Sequence, residues 1–326
     1  MNTVKNAGKG IPRQKKRETF SLNSAKLIRR DRQLYLLLLL PLIYILIFYY
    51  WPMYGVQIAF RNYRPRAGIL GSEWVGLKWF KKFLTNYNFK QVFLNTLYLS
   101  LYSIAVGFPL PIILALMLNT VRNEGFKKFT QTITYVPHFI SVVVLVAMIN
   151  QIFNPIGGLY GTLFRLFGGE GYPYDFRSLA SSFRHLYVWS EVWQELGWNT
   201  IIYIAALGSV SPELHEAAKI DGATRWQRVV HIDFPAILPT ACIMLILRCG
   251  SVMTIGFEKV FLMQSNLNIT TAEVISTYVY KVGLGSSSDF SYGTAVGLFN
   301  SVINCVMLIF VNLFCKKATD NEVSLF

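Results

Sequence analysis

Apolar residues along the chain gather into six long runs, at residues 34–51, 93–118, 133–152, 186–210, 241–263 and 292–314, separated by polar segments marked by glycine and proline. Each run is close to the about 20 residues an α-helix needs to cross a hydrocarbon core about 30 Å thick. The pattern predicts an all-α membrane protein with six transmembrane helices. It also sets the domain organisation: a basic tail at 1–33, a membrane domain at 34–314 interrupted by a polar loop at 211–239, and a short tail at 315–326. In the first loop, Leu77, Phe80, Phe83 and Leu84 share one helical face and Lys78, Lys81 and Lys82 the other, which predicts a short interfacial helix.

Composition agrees with the pattern. Of 326 residues 53% are hydrophobic and 15% charged, with mean hydropathy +0.39, against about 25% charged in soluble domains. The formal charge of +14 raises nucleic acid as a partner. The basic residues, however, sit at span ends and in the N-terminal tail rather than on one face, which points to topology and anionic lipid instead. Cys242, Cys249, Cys305 and Cys315 lie in or beside apolar runs without metal-ligand spacing, and no metal site is expected.

Ten Lys/Arg precede the first run against Glu18 and Asp31, so the positive-inside rule places the N-terminus, and with six spans the C-terminus, in the cytoplasm. That run ends at Tyr49, Tyr50, Trp51 with Pro52 next, an interfacial aromatic belt without a small-residue cleavage site, so the first helix is expected to stay uncleaved.

This topology puts residues 211–239 on the cytoplasmic side, and their grammar is helix, break, helix. Ser211 is a candidate N-cap with Pro212 at the first helical position. Gly222 suits the left-handed residue that ends the first helix, and Thr224 with Gln227 forms a capping-box pattern that starts a second through Val230. Pro235 and Pro239 are expected to bracket the return to the membrane.

Glu216-Ala217-Ala218, then Gly222, then Ile232 and the Phe234-Pro235 pair, all ahead of a late span, resemble the cytoplasmic loop of ABC importer permeases; Phe234 departs from the usual leucine. Residues 135–141 (YVPHFIS), 193–207 (WQELGWNTIIYIAAL), 256–263 (GFEKVFLM) and 277–284 (TYVYKVGL) extend the likeness to the carbohydrate-uptake, maltose-type class, closest to the polysaccharide and alginate-oligosaccharide permeases. The resemblance covers about residues 34–312. It implies the type I importer permease fold in a bacterial cytoplasmic membrane, paired with a second six-helix permease subunit. A dimer of cytoplasmic ATPase subunits would contact Glu216, Ala217, Ala218, Asp221 and Gly222, and an extracytoplasmic sugar-binding protein would deliver an oligosaccharide. The chain has no G-x-x-x-x-G-K-[ST] phosphate loop; residues 125–130 carry lysines without the leading glycine spacing. ATP and magnesium are therefore expected on the ATPase, and no catalytic residue on this chain.

Polar residues within spans mark function by default. The fourth run is the richest, and Trp193, Gln194, Glu195, Trp198 and Asn199 are the candidate substrate path, since aromatic faces and carboxylate or amide groups suit a sugar. The competing reading of its start, with Trp189 and Glu191, is an outer interfacial belt. Asn150, Gln151, Asn300 and Asn304 suit a path or helix-to-helix hydrogen bonds equally. Arg248 must be paired or hydrated, by a carboxylate or a water-filled vestibule. His138 follows Pro137 near one end of the third run, and Glu258 and Lys259 are expected near the outer end of the fifth, binding a docking protein or facing water. The alternative function is a secondary transporter for a polar solute, which would couple to ions through such carboxylates.

Overall fold

The computed structural model describes residues 31–285 and 288–318. Most of the expected basic tail at 1–33 lies outside the described residues, as does the expected C-terminal tail beyond residue 318. The chain divides into two units, one up to Gly55 and one from Val56, and the site described below lies within the second.

Helix α1 runs over Arg32–Phe60, with Pro41 inside it and a π turn at Leu46–Tyr50. An antiparallel hairpin, β1 (Arg61–Arg64) and β2 (Gly68–Trp74), follows; the sequence reading has no counterpart for it. Helix α2 (Lys78–Leu84) forms as expected. Its buried side chains are Trp79 and Phe83, while Leu77 and Leu84 are exposed. The Trp79 indole N–H donates to the Arg61 carbonyl at 3.0 Å, and Phe83 packs among Phe89, Phe299 and Tyr278, so the helix is a core element.

The second run becomes α3 (Phe89–Gly107) and α4 (Pro109–Thr120). Pro109 cannot donate into the preceding helix, and it opens the next one in the position proline tolerates. The third run is not a straight span. Helix α5 (Glu124–Tyr135) passes through a 3₁₀ turn (Val136–Phe139) into α6 (Val142–Ile152), and the two halves meet at 100°. Pro137 interrupts the first half, and Ser141, whose Oγ accepts from Val144 N–H at 3.4 Å, caps the second.

After α7 (Leu159–Leu166), helix α8 (Ala180–Leu207) holds the fourth run in 28 residues. Among the described residues four other helical stretches, Arg32–Phe60, Phe89–Thr120, Arg225–Cys249 and Phe290–Lys317, are long and apolar enough to cross a membrane, and the bent pair makes a fifth. Helix α8 is long enough as well, but its polar residues, Glu191, Gln194, Glu195 and Asn199 among them, make it less apolar than those stretches.

Helix α9 (Pro212–Ile220) opens the polar loop. The second loop helix and the fifth span, however, are one continuous helix, α10, over Arg225–Cys249. The span expected at 241–263 is thus displaced toward the loop, and Pro235 and Pro239 lie within the helix. A π turn at Val229–Asp233 ends two residues before Pro235, where a widened turn relieves the clash of a proline ring with the carbonyl four residues back. Residues 257–263 form a separate helix, α11 (Phe257–Met263), followed by α12 (Ile269–Ala272), α13 (Ile275–Gly283) and α14 (Phe290–Ala318).

Candidate functional site

Three helices bring charge together inside the membrane domain. The guanidinium of Arg248 on α10 lies 3.2 Å from Glu191 Oε1 on α8, and it donates to Ser103 Oγ at 3.2 Å and to the Ser103 and Gly107 carbonyls at 3.3 and 3.4 Å. Ser103 Oγ in turn donates to Glu191 Oε2 at 2.7 Å. Gly107 permits this approach, since a Cβ there would lie 2.8 Å from Nη2 of Arg248. An unpaired charge within a span is expensive, and this arrangement supplies both a counter-charge and hydrogen bonds. Both side chains remain about a quarter exposed, facing a cavity of about 140 Å³ lined by Ser100, Ser103, Glu191, Arg248, Ser251 and Thr254 among others. Such a volume with polar walls holds a few water molecules.

The five residues expected on the substrate path do not share one face. Glu195 and Asn199 line a narrow crevice with Gly107, Pro111, Glu191 and Arg248, continuous in its lining with the charged cavity. Gln194 is buried and donates to the Ile140 carbonyl at 2.7 Å, holding the bend of the third span. Trp198 stacks on His138, whose Nδ1 lies 2.9 Å from Glu195 Oε2. Trp193 faces a separate apolar groove of about 430 Å³ with Trp189, Leu145 and Met148. Glu191 belongs with Arg248 rather than to an interfacial belt. Asn304 accepts from Met253 N–H and donates to Thr254 Oγ1, each at 2.8 Å, a cross-link between elements. Lys259 faces neither water nor a docking surface. It is buried, donates to the Tyr187 carbonyl at 3.0 Å and sits 4.6 Å over the Tyr187 ring.

The polar loop is closed by local chemistry. Ser211 Oγ accepts from Glu213 N–H at 3.3 Å. At the other end of α9, Gly222 takes φ +80°, while the N–H groups of Gly222 and Ala223 donate to the Lys219 and Ala218 carbonyls at 3.1 and 2.8 Å, a Schellman closure. Thr224 and Gln227 form the reciprocal capping box. Glu216, Ala217, Asp221 and Gly222 are exposed and Ala218 is half-buried. Beneath them, buried Asp233 lies 3.2 Å from His215 Nε2 on α9 and accepts from Asn119 Nδ2 on α4 at 3.2 Å. The sequence reading passes over this contact and over Ser103; the one signal for Asp233 is a carboxylate sitting two residues before a proline at a membrane return.

Residues 107–320 match the family model of the binding-protein-dependent transport system inner membrane component. The chain is 45% identical over 298 residues to the polygalacturonan/rhamnogalacturonan transport system permease protein YteP of Bacillus subtilis (strain 168), covering 91% of this chain and 92% of that one. It is 44% identical over 290 residues to Protein LplB of the same organism, covering 89% and 90%. Among solved structures, a chain of a bacterial alginate ABC transporter, in complex with alginate pentasaccharide-bound periplasmic protein, superimposes with a TM-score of 0.83 at 37% identity, over 93% of this chain and 100% of that one. These likenesses span the charged cavity and the loop alike, and they set aside the secondary-transporter reading. With this helical fold and a polar loop of this form, the chain belongs to the binding-protein-dependent transport system inner membrane components, as a non-catalytic permease subunit of an ABC importer.

Proposed function

We propose that the chain forms one half of the translocation path of an ATP-driven oligosaccharide importer, with its termini and residues 211–239 in the cytoplasm. The observation that carries this is the charged, water-sized cavity at Arg248 and Glu191 inside the spans. A packed structural ion pair needs no such opening, whereas a path for a hydroxyl-rich solute does. A second six-helix permease completes the path, and an extracytoplasmic binding protein delivers the sugar to it. Glu216, Ala217, Ala218, Asp221 and Gly222 seat in an ATPase dimer that binds ATP and magnesium.

The substrate class we assign is acidic. A guanidinium suits a uronate carboxylate through paired N–H donors, and the similar permease and the similar transporter are named for polygalacturonan and alginate. Proteoliposomes holding the complete transporter and its binding protein test both parts. Uptake of an oligogalacturonide that depends on ATP, and exceeds that of a neutral malto-oligosaccharide, is expected. Uptake of neither sugar removes the reading, and equal uptake of both removes the acidic assignment.

A further inference from the structure

The helix that leaves the polar loop is the one that reaches the charged cavity. Asp233 and Arg248 lie fifteen residues apart on α10, about 22 Å along the axis at 1.5 Å per residue. Both ends of this length grip the same neighbouring span. Asp233 accepts from Asn119 of α4 at 3.2 Å, and Arg248 donates to Ser103 and Gly107 of α3 at 3.2 to 3.4 Å. The two spans run antiparallel and are clamped at two points. Helix α9 joins this clamp at its loop end, where His215 Nε2 lies 3.2 Å from the same Asp233 Oδ1 that Asn119 contacts. Among the described residues no other side-chain hydrogen bond or ion pair links α9 to a spanning helix.

The burial of the two partners differs in an informative way. The Asp233 side chain is 3% exposed and that of His215 24%, so the carboxylate is fixed in the bundle and the imidazole reaches it from a helix that is otherwise largely exposed. A carboxylate this deep is retained only with partners, and two of its partners come from different helices, α4 and α9. It also lies in the π turn, the point where the helix departs from regular geometry.

We propose that His215 and Asp233 are positioning residues that lock the coupling helix to the α3–α4/α10 clamp, so that displacement of α9 reaches the Arg248–Glu191 pair as movement of one body. The proposal rests on the ATPase-coupling reading above. It differs from a purely structural role in one respect: loosening the lock leaves assembly intact and separates ATP hydrolysis from transport.

The experiment uses the complete transporter in proteoliposomes with its binding protein and oligosaccharide, reading ATPase co-purification, sugar-stimulated ATP hydrolysis and sugar taken up per ATP. His215→Ala and Asp233→Asn are expected to co-purify at wild-type yield while uptake per ATP falls by about tenfold, within the usual range of coupling between distant sites. The exchanged pair, His215→Asp with Asp233→His, is expected to recover most of that loss. Asn119 can present its amide oxygen to the relocated imidazole. Wild-type uptake per ATP in His215→Ala overturns the proposal, as does an exchanged pair that assembles normally yet is no better than the single variants. If Asp233→Asn does not accumulate, His215→Ala, which trims a ring at the bundle surface, carries the same decision. Failure of the wild-type chain to retain any ATPase overturns the coupling reading itself, and the lock with it.

Discussion

His138 lies flat on Trp198, with ring centroids 4.1 Å apart and planes within 2° of parallel, while its Nδ1 meets Glu195 Oε2 at 2.9 Å. Together with the bond from Gln194 to the Ile140 carbonyl, these contacts fasten the bend of the third span to α8. Gln194, Glu195 and Trp198, which make these contacts, lie within little more than one turn of the helix. The space beneath the bend is correspondingly tight.

Gly197 shows how tight. A Cβ there would lie 2.8 Å from Tyr135 N, against backbone rather than a flexible side chain. Gly197→Ala is expected to destabilise the protein by about 1–3 kcal/mol, the usual cost of overpacking. A thermal unfolding curve of the purified protein in detergent checks this; an unchanged midpoint would show that the bend yields more easily than its contacts suggest.

Arg248→Gln leaves Glu191 without its counter-charge. Removing one partner of a hydrogen-bonded group costs about 1–3 kcal/mol, and uptake is expected to fall by about tenfold or more. The double variant with Glu191→Gln restores neutrality, so it should regain thermal stability without regaining uptake of an acidic oligosaccharide. Recovery of both together would mark the pair as structural only.

Thr224→Ala removes the oxygen that accepts from Gln227 N–H at 3.3 Å and is expected to cost about 1 kcal/mol of local helix stability. Gly222→Val forces a β-branched residue to φ +80°, at a cost of at least about 1–2 kcal/mol. Both should raise amide hydrogen exchange across 211–228. Gly222→Val should also lower ATPase co-purification and sugar-stimulated hydrolysis, because the exposed surface of α9 ends at that turn.

Between α7 and α8, Arg177 holds the Asp175 carboxyl below its ordinary value, chiefly through their hydrogen bond, with Nη2 to Oδ2 at 2.8 Å. A depressed carboxyl stabilises the folded loop above the unfolded value of about 3.9, and that contribution is lost as pH falls through the folded value. Acidification to about pH 4 should therefore leave the loop ordered, with loosening at lower pH. Asp175→Asn should remove this dependence. Limited proteolysis of residues 168–179 across a pH series reads both.

Much of the architecture is written locally. The six apolar runs, the Ser211 cap, the Thr224–Gln227 box and the left-handed Gly222 follow from hydrophobicity or from residues within a turn of one another, and each is visible without tertiary information. The pairing of Glu191 with Arg248 spans 57 residues, and no pattern along the chain selects one carboxylate over Glu195. Continuity of α10 was hidden for another reason: Pro235 and Pro239 signal a helix boundary in isolation, and the π turn that accommodates them has no sequence signature of its own. The division of Trp193, Gln194 and Trp198 among different surfaces likewise depends on the 100° bend beside them, which Pro137 makes possible but does not set in angle.

The π turn at Val229–Asp233 has an angular consequence for everything downstream. A π turn accommodates one residue more than an α turn over the same rise, and each residue of an α-helix advances about 100° around the axis. The azimuth of Arg248 is thus inherited from an irregularity fifteen residues earlier. Were that turn to tighten to regular α geometry, the guanidinium would swing about a quarter of a revolution, off Glu191 and Ser103 and onto another wall of the bundle. Which surface of the fifth span confronts the cavity is in this sense a phase, stored where the helix meets the loop.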